Sequence, residues 1–303
     1  MKKYLLLIII NVTCFGLSFG QQDPLYSQYI NNPMVINPAY AGLNNNFNAS
    51  LSYRTQWGGF EGNPTTVNVN GHISLVDNRV GAGLLIVQDK IGNVTNTEFQ
   101  LAGAYKLQLE DVTFSFGMQA GVINFQSDFN KLNLADPGDP AFAGNENLSK
   151  PNIGAGVALK SERYFVGLSV PRLLSTTFKS SMGEQFDLYN QHYYLFGGYV
   201  FNMGTRIRLK PSVLLKSVKG SPLSTDLNFN LNIDQLYTAG VFTRNFNTYG
   251  IQLGALLKEQ FRLGYTFEIP TAGSVGSQFN THEIMLGVRM SLLNFHDRSL
   301  SNF

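Results

Sequence analysis

Leu223-Ser224-Thr225-Asp226-Leu227-Asn228-Phe229-Asn230-Leu231-Asn232-Ile233 places an apolar residue or threonine at every odd position and serine, aspartate or asparagine at every even one. Successive side chains of a strand point to opposite faces, so a period of two describes a strand with one dry and one wet face. The pattern recurs at Val67, Val69, Gly71, Ile73 and Leu75, set against Asn68, Asn70, His72 and Ser74. Across residues 46–295 it repeats in about fourteen segments. A soluble sandwich would share the period, so the connections have to discriminate. Short links are read at 76–78, 110–111, 161–162, 202–204, 234–235 and 258–259, and long ones at 56–64, 124–151, 171–190 and 269–281. The links after even strands are all short and those after odd strands mostly long, the turn at 90–94 being short; with an even strand count this describes an all-β transmembrane antiparallel barrel of the outer membrane, with both termini periplasmic.

Charge parity supports this reading. If Phe261, Leu263, Tyr265 and Phe267 face lipid, then Arg262, Thr266 and Glu268 face the lumen, and Ile284, Leu286, Val288 and Met290 likewise oppose Glu283, Arg289 and Ser291. Arg54, Lys106, Lys160, Arg206, Arg208, Lys210, Lys216 and Arg244 fall on inward positions by the same count. An Arg or Lys facing lipid at the bilayer midplane costs about 2–4 kcal/mol, enough to enforce such parity. The expected lumen has a basic excess, offset in part by Glu98, Asp226, Glu268 and Glu283. That excess either attracts an anion or acidic segment or fills a wide barrel with charges paired to carboxylates and water.

Residues 1–20 carry Lys2 and Lys3, an apolar run at 4–10, and small residues at Ser18 and Gly20, the layout of a secretory signal peptide. The only cysteine, Cys14, lies within it, so a mature chain beginning near Gln21 is expected to have no thiol for a disulfide or metal site. The organisation read from sequence is thus a signal peptide at 1–20, a periplasmic segment at 21–45, a barrel at 46–295 and a tail at 296–303.

Charged residues make up 14% and aromatics 13%, a low-charge, aromatic-rich composition that suits a membrane barrel. A net charge of +2 with no basic run gives nucleic acid no footprint. His72, His192, His282 and His296 are scattered without metal-motif spacing, and no nucleophile is marked, so no cofactor, metal or catalytic residue is expected. Asp136, Asp139 and Glu146 could ligate calcium, but Pro137, Gly138 and Pro140 read better as a turn cluster.

Residues 21–45 break the strand rhythm. They hold Gln22-Asp23-Pro24-Leu25-Tyr26-Ser27-Gln28-Tyr29 and Asn37-Pro38-Ala39-Tyr40-Ala41-Gly42, with a further Asn-Pro step at Asn32-Pro33. Residues before proline are held extended or in turns, so this stretch is either a docking surface or packing for its own barrel. Together with Tyr53-Arg54-Thr55-Gln56-Trp57, Gly62-Asn63-Pro64-Thr65-Thr66 and Asp89-Lys90-Ile91-Gly92, these blocks resemble the PorP/SprF family of Bacteroidetes outer-membrane proteins over essentially the whole mature chain. The resemblance implies a non-enzymatic barrel of the type IX secretion and gliding machinery. Such a barrel supports export or surface attachment of secreted cargo such as adhesins, and its partners are that cargo, periplasmic or lipoprotein machine components and outer-membrane lipid. Asp23, Pro24, Tyr26, Tyr29, Asn37, Pro38, Tyr40 and Trp57 are the candidate partner-binding residues. The competing function is a channel for small anionic or hydrophobic solutes.

Overall fold

The computed structural model describes residues 26–128, 145–179, 185–219, 221–271 and 279–297. The signal peptide, Asp23, Pro24, Asp136 and Asp139 lie outside the described residues, as does most of the 296–303 tail.

The described residues open with three 3-10 turns, η1 (Gln28–Ile30), η2 (Pro33–Val35) and η3 (Pro38–Tyr40). The strands follow as β1 (Phe47–Thr55), β2 (Thr65–Leu75), β3 (Val80–Ile91), β4 (Val94–Leu109), β5 (Val112–Asp128), β6 (Asn145–Ser161) and β7 (Tyr164–Val170). After a small hairpin of β8 (Thr176–Lys179) and β9 (Gln185–Tyr189) come β10 (His192–Tyr199), β11 (Phe201–Met203), β12 (Ile207–Val218) and β13 (Ser224–Ile233). The last strands are β14 (Tyr237–Arg244), β15 (Thr248–Leu257), β16 (Phe261–Pro270) and β17 (Thr281–Met290).

All strands but β8 and β9 join one antiparallel sheet that closes through β1 on β17, with Phe47 opposite Met290, and through β10 on β12, with His192 opposite Val218. β10 and β11 both pair with β12 and form one stave interrupted at Val200, so the closed barrel has 14 staves. Closure removes the sheet edges whose unpaired backbone groups could not be tolerated in lipid.

Parity holds around the ring. Leu101 and Met118 are 58% and 68% exposed on the outside, whereas Gln100 and Asn68 on the inside are 0% and 1% exposed. In the segment that opens the reading, Phe229 and Leu231 face out while Asp226, Asn228 and Asn230 are buried within.

Three boundaries differ from expectation. The 124–151 stretch is not a loop throughout, because β5 and β6 continue pairing up to Asp128 opposite Asn145. Polar residues on both faces there end the lipid pattern, but backbone pairing needs no lipid. The 171–190 loop contains the β8–β9 hairpin, and the turn expected at 202–204 lies at 204–206. Short turns use left-handed backbone at Asp234 and Gln235 and at Lys258 and Glu259, which matches strand twist in tight hairpins.

Candidate functional site

The candidate site is the lumen and the segment folded into it. Residues 26–45 were read as a periplasmic-side segment that either docks partners or packs on its own barrel; in the structure they pack inside the barrel, and the physical cause is clear. Met34, Val35, Ile36, Ala39, Ala41 and Leu43 are all buried, and so many apolar side chains on one short segment need a dry partner. The wall supplies one: Leu85 and Val87 on β3, Ala102 and Ala104 on β4, Phe165 on β7 and Phe196 on β10 face inward and join the same core.

Glycines set how closely the segment, here called the plug, can approach. A Cβ added to Gly81 would lie 1.9 Å from the Ala41 carbonyl oxygen, and one on Gly117 would lie 2.2 Å from the Ala39 nitrogen. A Cβ on Gly156 would lie 2.1 Å from Asn37 Oδ1. These three glycines of β3, β5 and β6 form a lane into which the plug sinks, with backbone at Gly81 and Gly117 and the Asn37 side chain at Gly156. Gly42 has φ +65°, a left-handed conformation that favours glycine.

Polar contacts then fix the register along the plug. Asn37 caps η3 by accepting from the Ala39 N–H at 2.9 Å and donates to the Val157 carbonyl at 3.0 Å. Ser115 donates to the Ala39 carbonyl at 2.7 Å, and Ser169 to that of Ile36 at 2.6 Å. Asn228 donates to the Tyr29 hydroxyl at 2.7 Å while the Tyr29 ring meets Phe196 edge-on at 5.3 Å. Burial pushes the phenols of Tyr29 and Tyr40 well above their ordinary range, so both stay neutral.

Two charged clusters clamp the plug. Near the long-loop end Arg54 donates to Glu268 through both terminal guanidinium nitrogens, Nη1 and Nη2, at 2.7 and 2.9 Å, and lies 3.4 Å from Glu283. Arg244 pairs with Asp226 at 3.0 Å and lies 3.7 Å from Glu268. Ser27 closes this network, its hydroxyl bonded to Glu268 and its N–H donating to Glu283 at 2.8 Å. At the short-turn end Lys106 donates to the Gly42 carbonyl, Asn45 and Ser74 at 2.5, 2.9 and 2.7 Å, and Lys160 to Asn44 at 2.5 Å. The Gly42 N–H donates to His72 Nδ1 at 3.1 Å, and His296 in the C-terminal stretch contacts the Ser74 carbonyl at 2.8 Å.

The predicted site residues therefore divide. Tyr29, Asn37, Pro38 and Tyr40 are buried in the lumen and Tyr26 is half-buried there. Trp57 lies in the β1–β2 loop, with φ +56° and its N–H donating to Thr281 Oγ1 at 3.3 Å. Lys106, Lys160, Arg54 and Arg244 do line the lumen. Arg208, Lys210, Arg262 and Arg289 surround a cavity between the plug and the β12–β17 wall. Arg206 was expected inside as well; the structure corrects this, because it sits in the turn after β11, exposed and bonded to Asp234 at 2.7 Å. Its placement follows from the two-residue shift of that turn, which takes it off the strand whose parity was counted. Arg172, which bonds Glu98, escaped the sequence reading because it lies in a segment read as loop. Among the described residues no group of three or more His, Cys, Asp or Glu is placed to hold a metal ion.

A family model described as "Type IX secretion system membrane protein PorP/SprF" matches residues 18–288. The chain belongs to that family and is an outer-membrane β-barrel. No curated protein matches it by sequence. Among solved structures, the CymD monoaromatic hydrocarbon channel aligns at TM-score 0.51 and 10% identity, covering 92% of this chain and 96% of that one. A Pseudomonas aeruginosa FadL homologue gives the same values. Omp33 of Acinetobacter baumannii aligns at TM-score 0.48 and 9% identity, covering 82% of this chain and all of that one. At such identities the likeness is one of fold.

Proposed function

We propose that this barrel is a non-enzymatic binding component of the type IX machinery that supports export or cell-surface attachment of secreted proteins such as adhesins. The supporting observation is a type IX family match over nearly the whole chain in a barrel whose lumen is occupied by its own N-terminal segment. A lumen packed in this way favours a scaffold over a conduit. The six turns after β2, β4, β6, β11, β13 and β15 are assigned to the periplasm, and the opposite end, which carries the long loops and the short turns at 92–93 and 245–247, to the cell exterior, as in outer-membrane barrels generally. On that orientation the plug descends from the level of Arg54 to enter β1 at the periplasmic mouth. Contact with periplasmic or lipoprotein components falls to the short-turn rim, and contact with cargo to the outer loops, including that of Trp57. The channel reading keeps the fold likeness to a hydrocarbon channel in its favour, but it requires the plug to leave or rearrange.

Gene deletion followed by surface proteomics tests the leading reading. Loss, retention or release of large type IX cargo is expected, and an unchanged surface with altered uptake of small solutes would favour the channel.

A further inference from the structure

The plug runs through the lumen in one direction. Ser27 lies at the level of Arg54, Glu268 and Glu283, where its hydroxyl accepts from Arg54 at 2.9 Å and its N–H donates to Glu283 at 2.8 Å. Gln252 donates to the Ser27 carbonyl at 2.8 Å, and Gln28 donates to Thr266 at 2.6 Å, so this end is held from three strands and more. Asn32 then donates to Ser50, midway along β1, at 3.0 Å, and the Ala39 carbonyl meets Ser115, near the start of β5. Asn45 ends the descent at the short-turn mouth, where its carbonyl accepts from the Asp297 N–H at 3.0 Å and its amide donates to the Asp297 carboxylate at 3.1 Å. Both ends of the plug are pinned, and its N-terminal end points away from the mouth at which β1 begins.

Chain length decides which mouth the residues before Tyr26 reach. Arg54, Glu268 and Glu283 stand one or two residues from the long-loop ends of their strands, at Thr55, Pro270 and Thr281. The short-turn ends of the same strands, at Phe47, Phe261 and Met290, are seven residues away, about 23 Å of strand and about 18 Å of barrel height at the usual tilt. With the signal peptide removed near Gln21, only residues 21–25 precede Tyr26, and a stretch of that length spans at most about 18 Å when fully extended. A return to the short-turn mouth would consume all of that reach and leave none for the reversal of direction at Tyr26. It would also have to pass a core filled by Met34, Ile36, Ala39 and Leu43. The wall gives no side exit, because the strands close into a continuous hydrogen-bonded ring. The outward path needs only about 7 Å.

We propose that the mature N-terminus emerges at the long-loop mouth and is displayed outside the cell, so that Asp23 and Pro24 face the exterior and not the periplasm. This rests on the assignment of the turns after even strands to the periplasm. An even strand count fixes where β1 begins and β17 ends; it does not locate a chain that enters β1 only after crossing the lumen. Any partner of Asp23 and Pro24 then belongs with the outer loops, on the side given to cargo, and the periplasmic components are left with the short-turn rim.

The test exploits the absence of cysteine after Cys14. Gln22→Cys is compared with Glu61→Cys, exposed in the β1–β2 loop, and Glu110→Cys, exposed in the β4–β5 turn. Each variant, in its native outer membrane, is treated with a membrane-impermeant maleimide on intact cells and after permeabilisation. Gln22→Cys is expected to be labelled on intact cells to the same extent as Glu61→Cys, with no gain on permeabilisation, while Glu110→Cys reacts only after it. Intact mass is expected to place the mature N-terminus within a few residues of Gln21. Labelling of Gln22→Cys only after permeabilisation, with the other two variants as expected, would overturn the proposal and leave the orientation standing. An exchange of behaviour between Glu61→Cys and Glu110→Cys would overturn the orientation, and the exterior display with it. A retained leader would overturn the proposal by removing the limit on reach. If Gln22→Cys is unreactive in both states, an epitope inserted after Gln22 and probed by antibody takes its place with the same two readings.

Discussion

The two walls of this lumen use the same kinds of residue to opposite ends. On the β3–β7 side, Gly81 and Gly117 let the plug backbone, and Gly156 the Asn37 side chain, approach until no Cβ would fit. On the β12–β17 side, a Cβ on Gly254 or Gly287 would meet wall side chains, Thr238 at 3.3 Å and Arg262 at 3.5 Å, and no plug atom is among its nearest neighbours. The first wall is a socket for the chain itself, whereas at the second a cavity separates the plug from the wall. A glycine facing the lumen therefore has no fixed meaning; what occupies the volume opposite it decides.

Substitutions can break or sharpen this contrast. The largest effect is expected for Arg54→Ala, which leaves Glu268 and Glu283 buried without their shared cation. Removing one partner of a buried pair costs about 3–5 kcal/mol, and the change should appear in urea unfolding of the detergent-folded barrel. Gly117→Val should come next, at about 1–3 kcal/mol, because its Cβ collides with plug backbone and not with a pliable side chain. The direct readout is the thiol reactivity of a Ser27→Cys reporter, slow in the parent and fast once the plug is unseated. Gly103→Val on the lipid face, where nothing lies within 4 Å of the added Cβ, should leave the reporter slow. Lys106→Met should cost about 1–3 kcal/mol by leaving the Gly42 carbonyl and Asn45 without their donor.

The smallest effect is expected for Arg206→Ala, with no measurable change in unfolding. Its hydrogen bond holds the Asp234 carboxyl below the usual carboxylate range. Whatever the pair contributes is present above the ordinary carboxylate range and is lost as pH falls through the depressed value. Because both groups are exposed, solvent screening keeps that contribution slight.

The sequence made the barrel legible because lipid imposes a rule on every second residue, and Asn68, Asp226 and Glu283 could not obey it facing outward. Where lipid stops imposing the rule, the reading weakened: β5 and β6 run on past the bilayer pattern to Asp128 and Asn145. The plug was visible only as a break in rhythm. Its destination depended on Gly81, Gly117 and Gly156, which are spread over three strands and converge only when the sheet closes. Leu84-Leu85-Ile86-Val87 held a usable hint, since a run that is apolar on both faces of a barrel strand requires a dry partner inside as well as lipid outside. The basic lumen was anticipated, but its division into clamped residues such as Arg54 and cavity-lining residues such as Arg262 was not. Parity places a side chain inside without saying what it meets there.

Conductance in planar bilayers tests the central claim most directly, that the N-terminal segment is seated in the lumen against the glycine wall. The mature chain should give little steady current, and a variant lacking residues 26–41 should open stable conducting steps. A large, steady, anion-selective current through the intact chain, unchanged by that deletion, would contradict the account.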